Sequence, residues 1–413
     1  MMTVAVEKPD KVGMSASRLE RIAPAMQAHV DRGTYAGITT LIARRGKVVH
    51  VRHFGWRDKE AQAPMTDDVI FRLYSMTKPI VCVALMTLWE EGRFTLLDPV
   101  AKYISSFGRV KVLGVDGALA DPVQPILVGD LMAHTSGLSY HFLEDFPVGR
   151  MYAKGELLDA ERPLAESIED LAQFPLAFQP GSRWHYSVGI DVAARVAEVI
   201  SGKPLGAFLS ERLFEPLGTR ETGFGVRPQR RRAVAAMYGR PDLISPNVTQ
   251  RLQFADWSNG VNQRLDVSAT YPVDKPDRFV RGGHGLFSTA EDYYRFAQML
   301  ANGGELDGVR VIGKKTLELM HLNRLPTSML PIEIGGLPLA GYGFGLGSRV
   351  LIDPAQGGTP ASIGAFGWGG AAKTFYWVDP REEMVGLFMT QSMSSFDLPE
   401  LELQALAYQA IED

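Results

Sequence analysis

The segment that most constrains this chain is a helix with no polar face. Ile80, Val81, Cys82, Ala84, Leu85, Met86, Leu88 and Trp89 run almost unbroken toward Glu91, with Gly92 as the stop. A helix apolar all round has to be buried all round, so this one is expected as a central pillar between a sheet and a helical layer. Its apolar stretch, Ile80 to Trp89, is too short to span a bilayer. The pillar opens with Ser75-Met-Thr-Lys78-Pro79. Proline is tolerated only in a first helical turn, which places Ser75 at the helix N-terminus. Unpaired N–H groups and the macrodipole favour developing negative charge there. Residues three apart share a helix face, so the Lys78 amine can reach the Ser75 oxygen. A serine hydroxyl is a weak nucleophile until a base takes its proton, and this spacing supplies nucleophile and base together. One Ser-x-x-Lys is expected by chance in roughly every chain of this length, so a second proton carrier and an oxyanion site are needed beside it.

At 413 residues, 46% hydrophobic and 22% charged, the chain has the composition of a globular protein with a large core. Two lobes, or one large domain with an insertion, are expected from the length. A formal charge of −4 excludes a general nucleic-acid binder, and the basic run Arg227-Pro-Gln-Arg-Arg-Arg232 reads as a solvated loop. The single cysteine, Cys82, rules out an intramolecular disulfide and reads as a small buried hydrophobe. The first ten residues lack the apolar core of a signal peptide, so cytoplasmic residence is expected, with no membrane partner. No His-Glu-x-x-His and no Cys/His pairing is present, so neither metal nor cofactor is expected.

Along the chain, Ser17-Arg-Leu-Glu20 has the capping-box pattern ahead of Leu19, Ile22, Met26 and Val30, with Gly33 as the end. Ile38 to Ala43 and Lys47 to Phe54 read as a hairpin. From about Leu97 to Gly202 the signals are mainly helical. His134-Thr-Ser-Gly137 looks like a helix end, and Gly189 to Ile200 like a helix stopped by Gly202. Residues 219–281 are proline-rich and irregular, an excursion of the kind that often covers an active site or equally serves as a structural wrap. Helices are expected again at Ala290 to Ala301 and Lys314 to Leu322. Strands are expected at Gly343 to Ile352, Ala361 to Gly367, Thr374 to Val378 and Glu383 to Met389, with Asp379-Pro-Arg-Glu as the last hairpin turn. Leu398 to Ile411 reads as a closing helix. Strands at both ends predict one sheet built by the termini, giving an α/β domain from 1–98 with 201–413 and a helical lobe from 99–200.

Two further segments can complete a site. In Pro180-Gly-Ser-Arg-Trp-His-Tyr186-Ser-Val-Gly189 a turn leads into a helix, and Ser187 is placed to cap it. Tyr186 at that junction can project into a cleft, although a packing tyrosine is the commoner use of such a residue. Its phenol can shuttle protons at neutral pH only if a nearby cation favours the phenolate, and Lys78 is the candidate. Gly364-Ala-Phe-Gly-Trp-Gly-Gly-Ala371 is a glycine-dense strand edge. Glycines there mark a close backbone approach or simply ease curvature. An exposed Ala371 N–H could pair with the Ser75 N–H as an oxyanion hole.

Ser75-Met-Thr-Lys78-Pro, Tyr186-Ser and Trp368-Gly-Gly370, in that order, resemble the family VIII carboxylesterases. These share the serine β-lactamase and penicillin-binding-protein fold, an antiparallel sheet flanked by helices with a helical lobe, and are similar to class C β-lactamases. Leu131-Met-Ala-His-Thr-Ser-Gly-Leu138 and Gly282-Gly-His-Gly-Leu-Phe-Ser-Thr289 support the resemblance, which spans about residue 12 to 411. It implies Ser75 as the acylated nucleophile, Lys78 and Tyr186 as proton-transfer partners, and the amides of Ser75 and Ala371 as the oxyanion hole. Trp368, Gly369, Gly370 and His284 are expected to border a small ester substrate. Two departures from the lactamase pattern stand out. Tyr186-Ser-Val188 replaces Tyr-x-Asn, and Trp368-Gly-Gly replaces Lys-Thr-Gly, while Lys373-Thr-Phe375 does not restore it. Both favour neutral, short-chain esters over anionic β-lactams. The alternatives are β-lactamase or D-amino-acid peptidase activity, acyl transfer, and a catalytically silent ligand-binding relative.

Overall fold

The computed structural model describes residues 5–143, 147–155, 159–239, 263–393 and 398–413. Its frame is an eight-stranded sheet. In chain order the strands are β1 (Gly37–Arg44), β2 (Lys47–Asp58), β3 (Ala63–Pro64), β4 (Tyr342–Phe344), β5 (Arg349–Leu351), β6 (Phe366–Gly369), β7 (Phe375–Asp379) and β8 (Met384–Met389), and they lie in the order β4-β5-β6-β7-β8-β1-β2-β3. Every adjacent pair is antiparallel. The two ends of the chain meet where β1 pairs with β8, Leu41 opposite Leu387. Between β1 and β2, Arg45 and Gly46 both take positive φ, the turn whose twist matches paired strands.

Neighbouring residues of β7 show what covers each face, since successive side chains of a strand point to opposite sides. Tyr376 packs on Tyr293 of helix Ala290–Ala301. Phe375 and Trp377, one step either way, stack on each other across the strand's other face. The C-terminal helix Pro399–Tyr408 lies against helix Ile22–Asp31 and β8, and the Tyr408 hydroxyl donates to Asp379 at 2.7 Å. That same carboxylate accepts the N–H groups of Arg381 and Glu382 and so builds the last hairpin turn.

The apolar pillar is the helix Thr77–Glu90, entered through a 3-10 turn at Tyr74–Met76, with Pro79 in its first turn. It packs against helix Gly189–Ser201. From Val69 to Leu88 Ser75 is the one residue that is not buried. Cys82 is fully buried and free, and a Cβ on Gly347 would lie 2.7 Å from its sulfur.

Several expectations are corrected. The capping box at Ser17 does not form. The N–H of Ser15 is held by Ala410 O at 2.7 Å, so the helix starts two residues early, at Ala16, stops at Leu19 and resumes at Ile22. Gly343 to Ile352 is a hairpin rather than one strand, because Gly347 turns with φ 92° and Gly345 N–H donates to Ser348 O. The strand expected over Ala361 to Gly367 starts only at Phe366 and runs on to Gly369, since Gly364 takes φ 91° and Asp379 draws the Ser362 N–H. Residues 240–262 of the 219–281 excursion lie outside the described residues. Around them, Met237–Gly239 joins Arg264–Leu265 and Ser392–Met393 in a small sheet. The basic run forms a short 3-10 helix on the surface, with Arg230 bound to Asp68 and Glu221.

Candidate active site

Tyr74, immediately before the candidate nucleophile, is held at φ 46°, a left-handed conformation that costs a side-chain-bearing residue about 1–3 kcal/mol. The surroundings over-determine it. Its ring packs on Tyr271 at 4.7 Å. The Tyr271 hydroxyl in turn donates to Leu286 O at 2.7 Å and accepts from Gly285 N–H at 2.9 Å. The preceding Leu73 N–H donates to Leu286 O at 2.9 Å. Strain of this kind is how a chain aims one side chain out of an otherwise buried stretch.

Ser75 Oγ is met from two sides. Lys78 Nζ donates to it at 3.0 Å and the Tyr186 hydroxyl at 2.6 Å. The pairing comes from separate elements: Lys78 lies one turn into the pillar, and Tyr186 lies at the loop that enters helix Gly189–Ser201. Ser187 assists that entry, its Oγ accepting the Gly189 N–H at 3.2 Å and lying 3.2 Å from His134 Nδ1. The Ser187 N–H also donates to His134 Nδ1, at 3.3 Å. The Tyr186 ring is wedged among His134 (4.8 Å), Tyr140 (5.1 Å) and Trp368 (5.6 Å). Burial holds the His134 imidazole well below its ordinary pKa, with Lys78 adding to the effect, so it stays neutral. Lys78 is itself fully buried. Its remaining partners are Gly283 O at 2.7 Å and the ring faces of Tyr186 and Tyr140, 4.7 and 5.2 Å from the amine.

The glycine-dense edge reaches the same place. A Cβ on Gly370 would lie 2.3 Å from Leu73 O, so β6 ends against the backbone two residues before Ser75. Gly370 N–H donates to Thr374 O at 2.7 Å and Lys373 N–H to Gly370 O at 2.9 Å, which closes a tight turn carrying Ala371, half-buried, at its tip. Gly369 and Gly370 are likewise half-buried. Trp368 is buried, edge-on to Phe344 at 5.2 Å, and forms the wall behind Tyr186. Lys373 is paired with Glu400 at 3.2 Å. His284 leaves 2% of its surface to solvent and packs on Phe279 and Tyr271; its neighbour Gly283 makes the contact with Lys78. Sequence reasoning missed Tyr140, Gly283 and Asp191, the buried acid that accepts the Gly283 N–H at 3.0 Å. Among the described residues no cluster of acids, histidines and cysteine could hold a metal ion, and no helix is long and apolar enough to cross a membrane.

Comparison with known proteins places the chain as a whole. The description Beta-lactamase matches residues 22–410. Esterase EstB of Burkholderia gladioli is 31% identical over 398 residues, covering 95% of each chain. Protein Rv1367c of Mycobacterium tuberculosis is 34% identical over 389 residues, covering 91% of this chain and 90% of its own. Among solved structures, EstCE1, a hydrolase with promiscuous acyltransferase activity, superposes with a TM-score of 0.77 at 27% identity, over 95% of this chain and 99% of its own. A strained turn presenting Ser75 to a buried lysine and a tyrosine, on a sheet built by both ends of the chain, thus has its kin: the chain belongs to the beta-lactamase family of serine hydrolases, on the side of its esterases.

Proposed function

We propose that the chain is a serine carboxylesterase that hydrolyses small or short-chain acyl esters through an acyl-enzyme on Ser75. The observation that carries the reading is the double contact on Ser75 Oγ, 3.0 Å from Lys78 Nζ and 2.6 Å from the Tyr186 hydroxyl. Ser75 Oγ attacks the ester carbonyl carbon while its proton passes to the Lys78–Tyr186 pair. Both touch Ser75 Oγ, so the proton is assigned to the pair and not to either member. The carbonyl oxygen takes up negative charge against the N–H groups of Ser75 and Ala371. Collapse breaks the bond to the alcohol, which leaves with the proton held by the pair. Water then repeats the sequence and releases the acid. The site lies where the α/β part, 1–98 with 201–413, meets the helical lobe, 99–200. Half-buried Gly369 and Gly370 border the substrate, with Trp368 behind them and His284 in the layer beneath. The buried, free thiol of Cys82 is compatible with a cytoplasmic enzyme.

Intact mass after brief exposure to a fluorophosphonate or a p-nitrophenyl acyl ester should show one adduct on Ser75, absent from Ser75→Ala. An adduct on another serine overturns the reading. The likeness to EstCE1 favours a second use of the same acyl-enzyme, transfer to an alcohol. Product analysis with a competing alcohol separates transfer from hydrolysis.

A further inference from the structure

Asp191 is an acid with no evident surface role. It is the third residue of helix Gly189–Ser201, amid Ile190, Val192, Ala193 and Ala194, all without exposed surface, and it is itself 2% exposed. One carboxylate oxygen accepts the Gly283 N–H at 3.0 Å. The other is buried with no hydrogen-bond partner among the described residues. The two glycines beside it explain the closeness. A Cβ on Gly282 would lie 2.2 Å from Ile190 O, and one on Gly283 would lie 2.5 Å from the free Asp191 oxygen and 2.7 Å from the Tyr140 hydroxyl. Only a glycine pair lets the loop touch the helix there, and Gly283 then turns its own carbonyl to Lys78 Nζ at 2.7 Å.

We propose that Asp191 is a positioning residue for Lys78, acting through the backbone of Gly283: the carboxylate fixes the N–H, and the carbonyl of the same residue fixes the amine. This rests on the reading of Lys78 as a proton carrier for Ser75. The charged and titratable groups around Asp191 are Lys78, Arg281 and Tyr140. Burial holds the Asp191 carboxyl above its usual range, offset only in part by the Gly283 N–H and then by the charges of Lys78 and Arg281. Arg281 gives its hydrogen bonds to the carbonyls of Val280, Asp159 and Arg162, and its charge shares Asp191 with the lysine. A carboxylate that only tied the loop to the helix would serve as well if it were neutral. A carboxylate whose charge reaches the reacting groups would not, so the amide variant separates the two roles.

The test is the pH profile of kcat/KM for p-nitrophenyl butyrate in the wild type, Asp191→Asn, Asp191→Ala and Gly283→Ala. Asp191→Asn keeps an oxygen for the Gly283 N–H and drops the charge. Its acid limb should move to lower pH by about one unit, with KM within about twofold. Asp191→Ala and Gly283→Ala release or displace the carbonyl, so kcat and the rate of Ser75 labelling should fall together by about a hundredfold at little change in KM. An acid limb unmoved in Asp191→Asn overturns the proposal, as does a folded Asp191→Ala with wild-type kcat. Should Asp191→Ala fail to fold, Asp191→Asn and Gly283→Ala decide by the same criteria. A wild type that neither labels on Ser75 nor turns over the ester refutes the proposed function itself, and this proposal with it.

Discussion

Gly370→Ala tests whether β6 contributes to the oxyanion site. The new methyl would lie 2.3 Å from both Leu73 O and Thr374 Oγ1, which is 1.1 Å inside the 3.4 Å at which ordinary contact begins. The Thr374 side chain can rotate away. The Leu73 carbonyl cannot, because it is part of the turn that aims Ser75 and already accepts the Met76 N–H at 3.1 Å. The turn at 370–374 must therefore retreat by about 1 Å, carrying Ala371 N–H with it. A misplacement of that size costs about a hundredfold, and complete loss of one oxyanion donor costs about 10²–10³-fold, or roughly 3–4 kcal/mol of transition-state stabilisation. The expected result is kcat on p-nitrophenyl butyrate lowered by about two orders of magnitude, KM little changed, and Ser75 labelling slowed in parallel. Thermal melting establishes that the variant is folded. A folded Gly370→Ala that keeps more than about a tenth of wild-type kcat refutes the reasoning, because the backbone of β6 would then be free of the reaction.

Tyr186→Phe keeps its ring packed among His134, Tyr140 and Trp368 and loses only the hydroxyl on Ser75. Both it and Lys78→Ala should lose at least about a hundredfold in kcat, and near-normal turnover in Tyr186→Phe would send the proton elsewhere. A chromogenic cephalosporin should be turned over at least about a hundredfold less efficiently than the butyrate ester. Val188 offers no side-chain amide, Trp368 stands buried where a cation would be needed, and Lys373 is engaged by Glu400, so two hydrogen bonds worth about 1–3 kcal/mol each are missing; equal efficiencies would return the chain to the lactamase reading. Stability should fall on acidification from pH 6.5 to about 4. Burial holds His50 and His185 down to about 4 and His321 to about 3. In that window the unfolded chain therefore binds protons that the folded one refuses, at about 1.4 kcal/mol per pH unit for each histidine. Asp292, raised by burial to about 6, offsets one of them. Urea melts at pH 7, 5.5 and 4.5 with an unchanged midpoint would contradict the burial of these rings.

What could be read from the sequence was whatever announces itself by spacing. Ser75, Lys78 and Pro79 fix one another within a single helical turn, and the hairpin at Arg45-Gly46 and the stop at Gly202 are local decisions of the backbone. The boundaries that shifted were set by distant partners: Ser15 by Ala410, and Ser362 by Asp379. Asp191 was overlooked for a related reason. Three residues into a helix, an acid is ordinary, since it complements the macrodipole. The clue was its company, a charged residue on a stretch from Gly189 to Ala197 that is otherwise wholly apolar except for Arg195. Gly283 gave a clue of its own in Gly282-Gly283, but a glycine pair states that something comes close without saying what. Here it is a helix on one side and a lysine on the other.

The surroundings of Lys78 suit the proposed chemistry of a serine activated without a histidine. A fully buried ammonium costs several kcal/mol unless hydrogen-bonded or paired. A direct carboxylate partner would remove that cost, but it would also fasten the proton to the amine. The structure takes a middle course. Lys78 receives one strong acceptor, Gly283 O, one exchangeable partner, Ser75 Oγ, and two ring faces, Tyr140 and Tyr186. Charge-assisted hydrogen bonds contribute about 1.5–3 kcal/mol and cation–π contacts about 0.5–2 kcal/mol, the scale on which such contacts offset the burial of an amine. The Asp191 carboxylate stands one residue further back, bonded to the Gly283 N–H and not to the amine. Tyr186 serves twice, its ring face toward the lysine and its hydroxyl on the serine. In the proposed reaction the proton lost by Ser75 passes to the Lys78–Tyr186 pair as a unit, and it leaves again with the alcohol in the same turnover.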